Sequence, residues 1–134
     1  MRSRFALMLA LAAALPGCAS LALTPTNVSG VWGGPHISLI LEGGLGTIEY
    51  DCASGTIDSP VVPAPDGSFA ATGTHRTGQG GPVRVGQIFI AKSAAYVGKV
   101  EKDHMTLGVR LEDGTMLGPF SLDRGAQAQL TRCL

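Results

Sequence analysis

Apolar and polar side chains alternate with period two through most of the chain beyond residue 27. Met105, Leu107, Val109 and Leu111 share one face, against Thr106, Gly108 and Arg110. Ile37, Leu39 and Leu41 stand opposite Ser38 and Glu42, and Ile48, Tyr50 and Cys52 opposite Thr47, Glu49 and Asp51. This alternation marks strands with one buried face. It predicts strands over 28–33, 37–42, 46–52, 68–74, 83–91, 95–101, 105–111, 116–122 and 128–133, with 53–57 as a short extension of the third.

Turn chemistry fits between these runs. Gly43-Gly44 and Asp113-Gly114 are hairpin signals, and Gly34-Pro35, Asp66-Gly67 and Lys102-Asp103 also reverse the chain. Residues 59–66 carry three prolines and form a loop; 75–82, HRTGQGGP, form another. The scattered glycines disfavour helix, at about 1 kcal/mol each in a helix interior. Eight or nine short strands joined by hairpins predict an all-β domain, a single small antiparallel up-and-down β-barrel, with a β-sandwich as the alternative. Closure would remove exposed sheet edges. An interior of about eight strands is filled by side chains or holds one small ligand. An immunoglobulin-type sandwich fits poorly, because its tryptophan lies between two cysteines and Trp32 precedes both Cys52 and Cys133.

The first 27 residues break the pattern. Arg2 and Arg4 precede an uninterrupted apolar run, Phe5 to Leu15. As a helix it would rise roughly 16 Å, too short for a bilayer core of about 30 Å. A basic start and a short apolar core read as a secretory signal peptide over 1–17. Three cysteines leave one over in an exported chain. With Cys18 set aside, Cys52 and Cys133 remain as a pair, and an oxidising compartment permits a disulfide between them. The closed loop of about 80 residues corresponds to about 4.5 kcal/mol in the chain-entropy account. Metal binding is the weaker reading of this pair, since there is no CxxC and no nearby histidine.

Without the leader, about 117 residues remain, enough for one core, with a net charge near −2. That balance gives no electrostatic footprint for nucleic acid and no polybasic membrane patch. No metal or cofactor motif appears. His36, His75 and His104 have no ligand spacing, and no serine sits in a nucleophile elbow. Glu49, Asp51 and Asp58 could approach one rim, but a solvated strand face explains Glu49 and Asp51. Gly78-Gln79-Gly80-Gly81-Pro82 lacks the Lys and Ser/Thr of a phosphate loop. His75 and Arg76, at the start of this loop, are candidates for contact with a ligand or partner, because loops on rigid scaffolds often carry function.

Leu15-Pro16-Gly17-Cys18 resembles the lipobox of bacterial lipoproteins, with Pro16 departing from its usual small or β-branched residue. The resemblance implies lipidation at Cys18, a tether over 18–27 and a barrel domain over 28–134. Ala19, where an Asp would favour inner-membrane retention, implies the outer membrane, facing the periplasm. A soluble periplasmic or secreted protein is the alternative. Gly30-Val31-Trp32 resembles the G-x-W signature of calycin barrels, in which a first-strand tryptophan closes one end under a basic side chain of the last strand. Trp32 and Arg132 are the expected pair for that closure, a cation–π contact. The chain also resembles a group of small exported bacterial proteins. The likeness rests on VWGG-H at 31–36, E-DC--G-I over Glu49 to Ile57, GPVRVG at 81–86, Y-G-V at 96–100 and the ending F-L-RG…CL. This supports the Cys52–Cys133 pairing and brings no activity.

The resulting expectation is a non-enzymatic, lipid-anchored envelope barrel serving interaction or structure. Its partners would be the membrane, through the N-terminal lipid, and an envelope protein or small apolar ligand. The calycin likeness implies two alternatives: a binder of a small apolar ligand, or an inhibitor of an exported protease.

Overall fold

The computed structural model describes Gly17, residues 26–78 and residues 82–133. Cys18, the expected lipidation site, lies outside the described residues, as do 1–16 and 19–25 of the expected leader and tether. Eight strands follow one another: β1 Gly30–Gly34, β2 Ile37–Glu42, β3 Leu45–Tyr50, β4 Ala53–Ile57, β5 Ser68–Thr77, β6 Lys92–Glu101, β7 His104–Leu111 and β8 Met116–Arg124. Each pairs antiparallel with the next, and β8 returns to β1, so the sheet is a closed up-and-down barrel and not a sandwich.

The alternation places the core. Ile37, Leu39 and Leu41 of β2, Ile48 and Tyr50 of β3, and Met105, Leu107, Val109 and Leu111 of β7 all point inward and are buried. Trp32, Tyr96, Leu39, Ile48, Met105, Leu107, Val109 and Leu122 fill the middle of the barrel. A ligand in the barrel centre is therefore excluded by side chains already there. Outward positions are largely polar: Ser38, Thr47, Glu49, Thr56, Thr72, Thr74, Lys99, Thr106 and Arg110. An apolar inside and polar outside is the reverse of a membrane-spanning barrel.

Turn chemistry sets the register. Gly43 and Gly44 link Glu42 to Leu45 with both φ angles positive, as a two-residue hairpin of type I′ requires. The bulge between β7 and β8 falls where Gly118-Pro119 interrupts β8, and proline lacks the N–H that a ladder position uses.

Two predicted strands are absent. Residues 83–91 make no ladder, because His75 of β5 pairs directly with Lys92 of β6 and eight strands already close the circle. Residues 128–133 form a strap along β1, with a single parallel bridge between Pro35 and Gln129. The 46–52 strand ends at Tyr50, and Asp51-Cys52 turns into β4 as a separate strand.

The seam between β1 and β8 is the shortest ladder in the barrel, pairing only Trp32 with Arg124 and Gly33 with Asp123. The side chain of Arg124 lies over the fully buried Trp32 ring, its Cζ 4.3 Å from the ring centre. Its Nη1 donates to the Ser29 carbonyl at 2.6 Å and its Nε to Asp103 Oδ1 at 3.1 Å. Gly30 has φ +108°, a conformation that residues with a Cβ rarely adopt, which gives the glycine of the G-x-W triplet its physical reason; a Cβ there would also stand 3.1 Å from that Nη1. The basic partner of Trp32 thus comes from the last strand, but it is Arg124 and not Arg132. The last strand ends at Arg124, and the strap carries Arg132 to the other end of the barrel, beside Cys52.

The strap reinforces the seam. Gln129 N–H donates to the Gly34 carbonyl and His36 N–H to the Gln129 carbonyl. A Cβ on Gly33 would collide with the backbone of Ala126 and Ala128, so glycine lets the strap lie flat on β1. Thr131 N–H donates to Asp51 Oδ1, and the Cys52–Cys133 disulfide fastens the end.

Replacing Arg124 by Ala removes the cation over Trp32 and a charged donor from the Ser29 carbonyl; the exposed pair with Asp103 adds little. The expected loss is about 1–3 kcal/mol in chemical denaturation, whereas Arg132→Ala changes stability by less than about 0.5 kcal/mol. Converting Cys52 and Cys133 to serine together costs about 2–5 kcal/mol by the same measurement.

Candidate functional site

The two barrel ends differ. At one, Trp32 and Arg124 close the interior, and the 58–67 loop folds over it. Val28 N–H bonds the Val61 carbonyl and Val61 N–H the Gly44 carbonyl, burying both valines. At the other end the side chains stop short and leave a recess of about 360 Å³. Tyr50, His75, Leu117 and Phe120 form its apolar wall, with Ala53 and Thr77 beside them and His36, Asp51 and Cys52 on the rim.

The alternation of β5 positions His75. Phe69, Ala71, Gly73 and His75 share the inward face, and β5 runs on to Thr77. His75 is therefore not the first residue of an exposed loop, as expected from the glycines after it; it is a barrel residue only 5 % exposed. Arg76, next in the strand, points outward and lies over the Phe89 ring at 5.2 Å. The structure thus separates the two candidate residues, one inside and one outside.

Tyr50 is the centre of the recess wall. Its ring lies 5.4 Å from His75 on one side and 5.4 Å from Phe120 on the other, both tilted. Beneath it the Tyr96 hydroxyl donates to the Thr74 carbonyl at 2.6 Å. Burial, with Tyr96 nearby, pushes the Tyr50 phenol well above its usual range, so it stays protonated. The Tyr50 hydroxyl faces only the Tyr96 hydroxyl, and His75 Nδ1 is buried and makes no hydrogen bond. Buried polar atoms normally find partners, and an orphan costs about 1–3 kcal/mol. Burial first, and the Lys92 charge second, lower the His75 pKa, which favours a neutral imidazole.

The rim is tied down electrostatically. His36 Nδ1 meets Asp51 Oδ2 at short range across the two hairpin turns. The Thr131 backbone N–H, and after it His36, hold the Asp51 carboxyl below its ordinary range. These contacts connect the strap to the mouth.

Other residues with candidate chemistry are not gathered. Glu49 is exposed on β3, Asp51 is paired in its turn, and Asp58 lies beyond β4. His104 is exposed and pairs with Asp123 at 2.8 Å. No cluster of three or more metal-ligating side chains occurs among the described residues. Sequence reasoning missed Leu117 and Phe120 as recess walls, since the bulge shifts their register. His75 was within reach: extending the alternation of Phe69 and Ala71 by two steps places it inside.

A lowered His75 pKa has a definite consequence for stability. Above the ordinary histidine value of about 6.5, folded and unfolded chains are both neutral there. Below it the unfolded chain takes a proton that the folded chain resists, so stability falls until the lower folded pKa is passed. Denaturation midpoints should decline as pH drops below about 6.5, and His75→Gln should flatten that decline.

No protein-family profile, curated protein or solved structure matches the chain.

Proposed function

We propose that this barrel binds a small, mainly apolar molecule at its open end, with one polar group of the ligand pairing with His75. The observation that carries the reading is a buried imidazole nitrogen with no partner at the wall of an apolar recess. A recess of about 360 Å³ lies at the low end of small-molecule sites, which run about 300–1,000 Å³ with apolar walls and a few polar groups. The Tyr50 and Phe120 rings suit a planar or aliphatic body. Neutral His75 can donate or accept one hydrogen bond, so a phenol, amide or carboxylic acid is the fitting polar end. The reading includes no covalent step and no cofactor.

We place this binder in the bacterial envelope. The Cys52–Cys133 disulfide supports an oxidising compartment, and the basic-apolar leader supports export. Lipidation at Cys18 would then hold the barrel at the membrane on a short tether.

Titration with a panel of small aromatic and aliphatic acids, phenols and amides, followed by calorimetry or native mass spectrometry, tests the site. The expected result is saturable one-to-one binding for part of the panel. Leu117→Trp should abolish it by filling the recess. His75→Phe should weaken polar-ended ligands roughly tenfold while sparing their fully apolar analogues. Binding that survives Leu117→Trp, or no binding across the panel, would contradict the proposal.

A further inference from the structure

The segment between β5 and β6 carries an apolar surface that the recess does not use. Val83, Val85, Ile88 and Ile90 are 70, 107, 85 and 80 % exposed. They belong to a finger rather than a strand. Gln87 N–H bonds the Arg84 carbonyl at 3.1 Å, and Gly86 has φ +83°, so Val85-Gly86 is the tip of a type II turn. Phe89 turns back beneath Arg76 and fixes the base, leaving Ile88 and Ile90 outward.

Two features identify what such a finger meets. Its apolar side chains are each at least 70 % exposed and so bury little against one another or the barrel. That exposure suits a fluid phase which closes around each residue better than a rigid partner that needs a continuous surface. The charge is also one-sided. Between Thr77 and Lys92 the chain has Arg84 and no carboxylate; Arg76 stands just before this segment, and Lys92 at its far base is paired with Asp113. Arg84 sits at the finger tip, and Arg132 lies on the neighbouring strap beside Val83 and Phe89. Apolar side chains beside Arg76, Arg84 and Arg132 match the acyl boundary and anionic headgroups of a bilayer.

We infer that the 83–90 finger is a membrane-docking element that inserts Val85, Ile88 and their neighbours into an anionic lipid surface. This contact is separate from any lipid on Cys18 and from binding in the recess. It points the open end of the barrel at the bilayer, because Ile88, Phe89 and Ile90 share a surface cleft with His75 and Lys92.

The test uses the full chain with a single reporter, so that an N-terminal anchor does not supply the signal. Val85→Trp places an indole at the tip; Trp32 is fully buried and gives a constant background. Leu45→Trp, in the hairpin at the opposite end, is the control. With phosphatidylglycerol vesicles, Val85→Trp emission should shift to the blue and be quenched by brominated acyl chains. Leu45→Trp should do neither. Adding Ile88→Asp, or replacing the vesicles with zwitterionic phosphatidylcholine, should weaken both effects. An indole at position 85 that stays in water beside anionic vesicles would overturn the inference. So would a blue shift that requires no lipid and instead follows self-association in sedimentation.

Discussion

Closure of the sheet at the β1–β8 seam is the constraint on which the rest of this structure depends. An eight-stranded sheet hides its edges only if the last strand meets the first. Here that meeting is short, two residue pairs at Trp32–Arg124 and Gly33–Asp123. The backbone ladder alone is a weak fastening. The protein adds a guanidinium lying on a buried indole and a C-terminal strap laid over β1. The disulfide then fixes the strap to the β3–β4 turn.

These fastenings divide the molecule by role. One barrel end is committed to closure: Arg124 covers Trp32, and the 58–67 loop buries Val28 and Val61. The other end receives the strap on its rim and keeps its interior layer unfinished. Tyr50, His75 and Phe120 meet at tilted angles around a recess with His75 Nδ1 buried and unpaired. A well-packed centre separates the ends, so binding at the mouth need not disturb the seam. The finger stands at the same end as the mouth, and a docked finger would leave a short path between bilayer and recess.

The architecture was largely legible from alternation and turns. β2, β3 and β7 show inward residues at the positions that period two assigns, and Gly43-Gly44 turns where expected. The pattern misled at 83–91. That segment alternates like a strand, but alternation reports only that a chain could pair, and β5 and β6 had already satisfied each other. It misled again at 128–133, where the barrel was complete and the apolar residues serve a strap. The alternation over 128–133 makes that segment read as the last strand and Arg132 as the partner of Trp32. Strand number decides that choice, and it is a global property. The recess was harder to read, because it forms from β3, β5 and β8 together and a bulge at Gly118-Pro119 shifts part of its wall.

The most direct measurement is a high-resolution crystal structure of the disulfide-bonded protein purified from its native compartment at neutral pH. The account predicts a barrel sealed by Arg124 over Trp32, and density for a small non-water molecule between Leu117, Phe120 and His75. It also predicts that His75 Nδ1 is within hydrogen-bond distance of that molecule. A mouth collapsed by Phe120 and Leu117 onto Tyr50, with His75 Nδ1 paired to the protein itself, would contradict it.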